Sequence, residues 1–176
     1  GGLANGQPVR FAVSAVNPSG ESESSPWTAE TTPSPIGSRF HAVTPHRVLD
    51  TRTGTGGQAT VLGPGESFSL DLSGLAPPAV GEPAAVVMNV TATGQTTATF
   101  VTVWPGDQTR PLTSNLNPQP GVAAVPATVT SRLGPGTTVQ LFNNSGTVHL
   151  VADVLGWYDQ PGTGTGSLQT PLPPRR

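Results

Sequence analysis

Apolar and polar residues alternate strictly near the start of the chain. In the segment PVRFAVSAVN (residues 8–17), every second side chain points to the same side of a strand. One side carries Val9, Phe11, Val13 and Ala15, and the other side carries Arg10, Ala12 and Ser14. A Pro-Ser-Gly turn at residues 18–20 and a polar segment at residues 24–32 follow, so the pattern predicts a β-hairpin.

This hairpin has no partner sheet in the sequence around it. A lone hairpin is marginally stable in water, so its apolar stripe has to be covered by something. Three interpretations stay open. Residues 1–35 are a piece of a larger domain, or they fold back on residues 38–159, or they add a strand to a neighbouring subunit through a self-assembly edge. That edge consists of Val9, Phe11, Val13 and Ala15.

Pro33, Pro35 and Gly37 mark a linker, placed at residues 36–39, and short Thr- and Val-rich runs follow it as far as residue 159. Gly- and Pro-rich turns separate the runs, and no window has helical apolar spacing. We therefore predict an all-β fold, an antiparallel β-sandwich of Greek-key or jelly-roll type over residues 40–159. Strands are expected near residues 46–51, 59–62, 66–72, 84–93, 99–104, 113–117, 124–131, 138–142 and 147–157.

Two of these runs are apolar on both faces, at residues 84–88 and 149–155, and are predicted to be central strands. Residues 160–176 are rich in Gly, Thr and Pro, which is typical of a flexible linker or an extended arm.

Composition narrows the classes of partner. The net charge is −2, only 10% of residues are charged, and all basic residues are Arg, so we expect neither nucleic acid nor an anionic membrane as a partner. The chain has no Cys, which excludes disulfides and thiolate chemistry. No signal peptide or membrane-spanning segment is recognisable, and the start at Gly1 is interpreted as an internal cut of a longer precursor.

No residue pattern indicates catalysis. The three histidines, His41, His46 and His149, lack the spacing of a zinc enzyme, and no Gly-x-Ser-x-Gly motif is present. A glycosidase needs two carboxylates across a cleft, and no motif marks such a pair. We therefore predict that the protein is not an enzyme and carries no cofactor or metal.

Three charged residues are predicted to be linked by structural ion pairs: Asp50, Arg52 and Asp153. Asp50 and Arg52 leave a strand on the same face, either as a ligand or metal site or, as we favour, as an anchor for the Gly-rich loop that follows. Asp153 lies inside an apolar strand and needs a partner. Arg52 or Arg47 suits this role, and we predict an Arg52–Asp153 contact.

Sugar binding is the ligand chemistry that the sequence supports best. Aromatic and amide side chains gather at predicted strand ends and turns, where loops meet. The candidates are Trp104, Asn115, Asn117, Asn143 and Tyr158, with Trp104 as an exposed platform. Trp157 is expected to plug the sandwich instead.

The N-terminal segment resembles the last two strands of a fibronectin type III domain. The resemblance rests on the order of Leu3, Gly6, Val9, Phe11, Val13, Ala15, Asn17, Gly20, Ser22 and Ser25. It covers about a third of such a domain, and Val9 stands where that family usually has its corner tyrosine.

A second resemblance covers residues 40–158. The segments FHAVTPHRVLDTRTG (40–54), VVMNVT (86–91), FVTVWP (100–105) with SNLN (114–117), and VQLFN (139–143) with VHLVADVLGWY (148–158) resemble a domain common in secreted and cell-surface proteins of actinobacteria. The resemblance implies an extracellular module, often repeated or appended to enzymes, with fibronectin-like neighbours. It implies no catalytic residues.

Two functions from different classes fit these observations. The first is a structural or adhesion module that self-assembles, or packs with neighbouring domains of its precursor, into a filament, layer or appendage at the cell surface. The alternative is a carbohydrate- or cell-wall-binding module that tethers a larger secreted protein to polysaccharide. The unfinished hairpin favours the first.

Overall fold

The computed structural model describes residues 7–32 and 37–160, and the backbone of Ser167–Leu168. The chain divides into two compact units, Gly1–Ile36 and Gly37–Arg176, and each is described by itself. Residue 36 of the predicted linker at 36–39, the prolines that mark it, Pro33 and Pro35, and most of the predicted tail at 160–176 lie outside the described residues.

The N-terminal hairpin, residues 7–32, contains two short strands, β1 (Val16–Asn17) and β2 (Gly20–Glu21), which pair in an antiparallel sense. The side chain of Asn17 accepts a hydrogen bond from the Ser19 N–H at 2.8 Å and closes the turn between them. Beyond this tip the two arms run alongside each other as far as an isolated bridge between Val9 and Thr31.

The sandwich, residues 37–160, is built from two antiparallel sheets, as predicted. Its strands are β3 (Arg39–Asp50), β4 (Ser67–Asp71), β5 (Pro83–Thr93), β6 (Val101–Pro105), β7 (Ala124–Arg132), β8 (Thr138–Asn143) and β9 (His149–Asp159). A two-residue strand, β10 (Ser167–Leu168), adds to the edge of one sheet. Among the described residues, the one helical element is a short 3-10 helix at Pro78–Val80.

The order of the strands is that of a jelly roll. One sheet has the order β10-β3-β9-β5-β7 and the other has the order β4-β8-β6. Leu116 bridges Val101 of β6 and so supplies a rudiment of a fourth strand in the second sheet. Successive strands cross from one sheet to the other, and the first strand of the domain, β3, pairs with the last long one, β9.

The two doubly apolar runs lie in β5 and β9, each with a neighbour on both sides, so their central position is confirmed. The predicted strands at 59–62 and 113–117 shrink to single bridges, Leu62 to Val148 and Leu116 to Val101. β3 begins well before the predicted residue 46 and contains Pro45. The pairing with β9 shifts register between Ala42 and His46, which accommodates the missing N–H of the proline.

The core lies between the two sheets and comes from alternate residues of each strand. In β5, for example, Val86, Met88, Val90 and Ala92 are buried, while the residues between them are half-buried on the outer face. Trp157 is fully buried in this core, as expected. Its largest fully buried members besides Trp157 are Leu49, Leu62, Leu70, Leu72, Met88, Leu116, Leu141 and Leu150.

Candidate functional sites

Hydroxyl groups take the place of half of the backbone ladder in the N-terminal hairpin. The N–H groups of Phe11, Val13 and Ala15 donate to the Oγ atoms of Thr28, Ser25 and Ser22, at 3.1, 3.1 and 3.0 Å. The carbonyls of the same three residues accept from the backbone N–H groups of the same three partners, at 2.9, 2.9 and 2.8 Å.

The two arms therefore advance at different rates. The residues of the first arm are two apart, as in any strand, whereas their partners Ser22, Ser25 and Thr28 are three apart. Because each two-residue step of the first arm is paired with a three-residue step of the second arm, a backbone carbonyl does not face every N–H of the first arm. The side-chain oxygens of Ser22, Ser25 and Thr28 accept those hydrogen bonds instead. The polar segment thus pairs with the first arm, but as a hydroxyl ladder instead of a regular strand.

The opposite edge of the first arm has no partner strand among the described residues. The backbone N–H and C=O groups of Arg10, Ala12 and Ser14 point away from the second arm and make no hydrogen bond within the described residues. Such a row of unpaired groups is a template for another strand.

Large apolar side chains are exposed on this hairpin. Phe11 and Val13, on one face, are 47% and 73% exposed. Trp27, 67% exposed, lines a shallow surface with Pro8 and the ion pair of Arg10 with Glu30, whose N···O distance is 3.0 Å. The predicted apolar stripe of Val9, Phe11, Val13 and Ala15 is thus present, with Val9 half-buried and Ala15 exposed.

The edges of the sandwich are protected by contrast. The outer edge of β3 carries β10, and the outer edge of β6 is bridged by Leu116. The edge strand β7 contains Pro126, which lacks an N–H donor, and the edge strand β4 is only five residues long. The sandwich therefore has several of the features that normally discourage edge-to-edge pairing. Residues 10–14 contain no proline and, within the described residues, no bridging segment covers their outer edge; their one charged side chain, Arg10, is paired with Glu30.

The charged residues around Asp50 form one network, with a different connectivity from the predicted one. Asp50 is 3% exposed and accepts hydrogen bonds from Arg52 Nε at 2.9 Å and Arg52 Nη2 at 2.7 Å. Arg47 binds Asp50 at 3.1 Å and holds both oxygens of Asp153, at 2.9 and 3.2 Å. The predicted Arg52–Asp153 contact is wrong, because Arg47 is the direct cross-strand partner of Asp153 and occupies its carboxylate.

This network anchors a loop. The Arg52 N–H donates to Asp50 Oδ1 at 3.1 Å, an Asx-type turn that starts the Gly-rich segment at 51–57. The hydrogen bonds from Arg52 hold the pKa of Asp50 well below its usual range, against the opposite effect of burial. All four charged groups are paired with each other, so the network has the chemistry of a structural clamp.

Most of the predicted sugar platform is not on the surface. Trp104 is 7% exposed and donates its indole N–H to the carbonyl of Gln108 at 2.9 Å, so its prediction as a platform is wrong. Asn143 is fully buried; its amide donates to the carbonyls of Leu62, Gly63 and Gly146, and its Oδ1 accepts from Thr99 at 2.8 Å. Every atom of this amide is used inside the fold, which leaves nothing for a ligand.

The remaining three candidates are accessible, two of them beside β6 and the third on the other sheet. Asn115 and Asn117 are exposed beside β6, and the Asn115 Oδ1 is already used by the Val103 N–H at 2.7 Å. Tyr158 lies on the outer face of the other sheet, half-buried, with its ring centroid 5.2 Å from that of Phe40. The structure therefore does not bring the five predicted ligand residues into one exposed site.

Sequence reasoning missed a second buried carboxylate. Asp159, fully buried at the end of β9, accepts from the Arg39 N–H at 2.6 Å and lies 3.0 Å from His41 Nε2. Burial acts to raise the pKa of Asp159, but these two partners outweigh it and the pKa lies below its usual range. The sequence pattern around Asp159 could not indicate a buried ion pair, because its partners, Arg39 and His41, are 120 and 118 residues away in sequence.

Within the described residues, no cluster of His, Asp and Glu has the arrangement of a metal site. No helix there has the length and apolar character to span a bilayer. No model of a known protein family matches the chain, and no curated protein matches it.

Proposed function

We propose that this protein is a non-catalytic structural module of the cell exterior that assembles with copies of itself through its N-terminal hairpin. The observation that carries the proposal is the open edge at Arg10, Ala12 and Ser14 beside the exposed side chains of Phe11 and Val13. Backbone groups without partners supply hydrogen bonds to an incoming strand, and the apolar side chains supply area to bury.

A second copy suits this edge because the segment is self-complementary. In an antiparallel pair of two such edges with its two-fold axis at Ala12, Arg10 faces the Ser14 of the other copy and Phe11 faces the Val13 of the other copy. No like charges then oppose each other, and two aromatic–β-branched pairs form by symmetry. The two apolar stripes become one continuous surface.

The extracellular location and the non-catalytic role are parts of the same proposal. The location is supported by the resemblance of residues 40–158 to a domain of secreted and cell-surface proteins. The non-catalytic role is supported by the lack, in the sequence, of any motif for hydrolysis or metal catalysis. A chain with only 10% charged residues, rich in Thr and Gly, also suits close packing of copies.

Size-exclusion chromatography with light scattering, over a series of concentrations, tests the assembly. We expect the full chain to form dimers or larger species. Ala12→Pro removes one outward N–H without touching the hydroxyl ladder, and Val13→Glu places charge in both symmetric contacts; both variants are expected to be monomeric.

Leu112→Glu is the matched control for the charge substitution. Leu112 is 100% exposed on the sandwich, so the same change there leaves assembly intact if the hairpin edge is the contact. A full chain that stays monomeric at its highest soluble concentration would falsify the proposal. Oligomers that survive both Ala12→Pro and Val13→Glu would do the same.

A further inference from the structure

A cleft of about 480 Å³ opens on the outer face of the larger sheet, away from the network around Asp50. Its lining combines small residues with a few polar groups and one ring, namely Ser38, Ala84, Ala85, Arg132, Leu133, Tyr158 and Gln160. Its volume falls in the range of small-molecule sites, which are typically a few hundred cubic ångströms, about 300–1,000 Å³.

The geometry of the cleft follows from the sheet register. Ala85 of β5 is the direct partner of Arg132 in β7 on one side and of Tyr158 in β9 on the other. Directly paired residues share a face, and neighbouring strands lie about 4.8 Å apart, so the Cα atoms of Arg132 and Tyr158 are roughly 10 Å apart. Between them stands only the methyl group of Ala85, which makes a floor.

The two flanking side chains have unused binding capacity. The guanidinium of Arg132 is exposed and has no ion pair within the described residues, unlike Arg10, Arg47 and Arg52. The hydroxyl of Tyr158 makes no hydrogen bond to the described residues, while its ring is held by Phe40 at an interplanar angle of 48°. A fixed ring and an unpaired cation therefore border the same floor.

Phe40 in turn is seated by a glycine. A Cβ on Gly156 would lie 2.3 Å from the end of the Phe40 ring and 2.8 Å from the His41 carbonyl. Because Gly156 has no side chain, the Phe40 ring packs directly against the sheet at this position. The Phe40 ring in turn holds Tyr158, which borders the cleft.

We propose that this cleft binds a saccharide that carries a carboxylate, with Arg132 binding the carboxylate and Tyr158 the sugar ring. Guanidinium groups bind carboxylates through two parallel hydrogen bonds, and this is the strongest polar contact that the cleft offers. A pyranose presents apolar C–H groups to an aromatic ring and hydroxyls to the phenol, to Ser38 and to Gln160. The inference is independent of the assembly proposal, because the cleft lies wholly in the sandwich.

NMR titration of the isotope-labelled full chain with methyl β-glucuronide and methyl β-glucoside tests the inference. The two sugars differ only in carboxylate against hydroxymethyl. We expect saturable shifts around β5, β7 and β9 with the glucuronide, weakened by added salt, and binding of the glucoside that is weaker by about tenfold, or about 1.4 kcal/mol.

Arg132→Gln is expected to reduce glucuronide affinity to that of the glucoside, and Tyr158→Ala to weaken both sugars. Arg110→Gln is the matched control, since Arg110 stacks on Phe142, 3.8 Å from the ring centroid, in the other sheet. Equal binding of both sugars, unchanged affinity in Arg132→Gln, or no saturable binding would each overturn the inference. Acetyl-aspartate amide that binds as tightly as the glucuronide would overturn the saccharide assignment. Chromatography of the same samples reports assembly separately, so the two proposals fail independently.

Discussion

Arg47 and Asp153 face each other directly across β3 and β9, and the guanidinium holds both carboxylate oxygens, at 2.9 and 3.2 Å. The same guanidinium reaches Asp50, which Arg52 also binds, so one buried carboxylate receives two cations. This arrangement ties the start of the Gly-rich loop to the centre of the larger sheet.

The first prediction concerns the carboxylate that both arginines share. Asp50→Asn removes the charge but keeps the size, and we expect the free energy of unfolding at pH 7 to fall by about 2 kcal/mol. That is less than the roughly 3–5 kcal/mol for a fully buried pair, because solvent reaches both guanidinium groups. Urea unfolding followed by circular dichroism measures the difference.

The pH dependence of that difference gives an independent check. The pKa of Asp50 is lowered in the folded state, so its contribution is present above the unfolded pKa of about 4 and is lost as pH falls towards the folded value. The unfolding free energies of wild type and Asp50→Asn should therefore converge as pH drops below about 4. A constant difference between pH 7 and pH 2 would contradict the assignment.

Asn143 carries the second prediction. Its amide donates to three carbonyls and accepts from Thr99 with no exposed surface. Asn143→Ala leaves these groups unsatisfied, and we expect a loss of about 2–4 kcal/mol in the free energy of unfolding. Asn144→Ala is the matched control, because the neighbouring amide is exposed and bonds only to the Ser145 hydroxyl. Similar losses in both variants would contradict the structural role of Asn143.

Gly156 is the subject of the third prediction. A methyl group there displaces the Phe40 ring and presses on the His41 carbonyl, so Gly156→Ala should cost about 1–3 kcal/mol of stability and shift the ring resonances of Tyr158. Gly63→Ala serves as control, because its added Cβ meets only the end of the Glu66 side chain at 3.3 Å. Unchanged Tyr158 resonances in Gly156→Ala would show that the ring stack does not depend on this glycine.

The sequence was sufficient for the fold class and for the central strands, because alternation and doubly apolar runs report directly on burial. It was insufficient for contacts between strands. The register shifts in β3, between Ala42 and His46 and between Arg47 and Leu49, place Arg47 directly opposite Asp153, and Arg52 lies beyond the end of this strand. Local alternation says nothing about shifts of this kind.

The error at Trp104 has a related cause. A tryptophan before a Pro-Gly turn is compatible with exposure, but here residues 106–115 return over β6 and Gln108 accepts the indole N–H. Whether a loop covers the outer face of a sheet depends on the path of that loop. The periodicity of apolar residues does not predict this path. The cleft beside Tyr158 was missed for the same reason, since Arg132, Ala85 and Tyr158 come from three distant strands.

The last prediction concerns the hydroxyl ladder of the N-terminal hairpin. Ser22→Ala, Ser25→Ala and Thr28→Val remove the acceptors of Ala15, Val13 and Phe11, and leave the carbonyl bonds in place. Each lost bond is exposed, so we expect about 0.5–1 kcal/mol apiece.

Amide hydrogen exchange measures the effect residue by residue. In the triple variant, exchange at Phe11, Val13 and Ala15 should speed up together, because a hairpin without a core has little other stability to lose. Ser24→Ala is the control, since the Ser24 hydroxyl forms none of the ladder bonds. Equal protection in wild type and triple variant would show that the hydroxyls do not hold the first arm in place. The outward direction of the Ala12 backbone N–H and C=O groups would then not depend on the hydroxyl ladder.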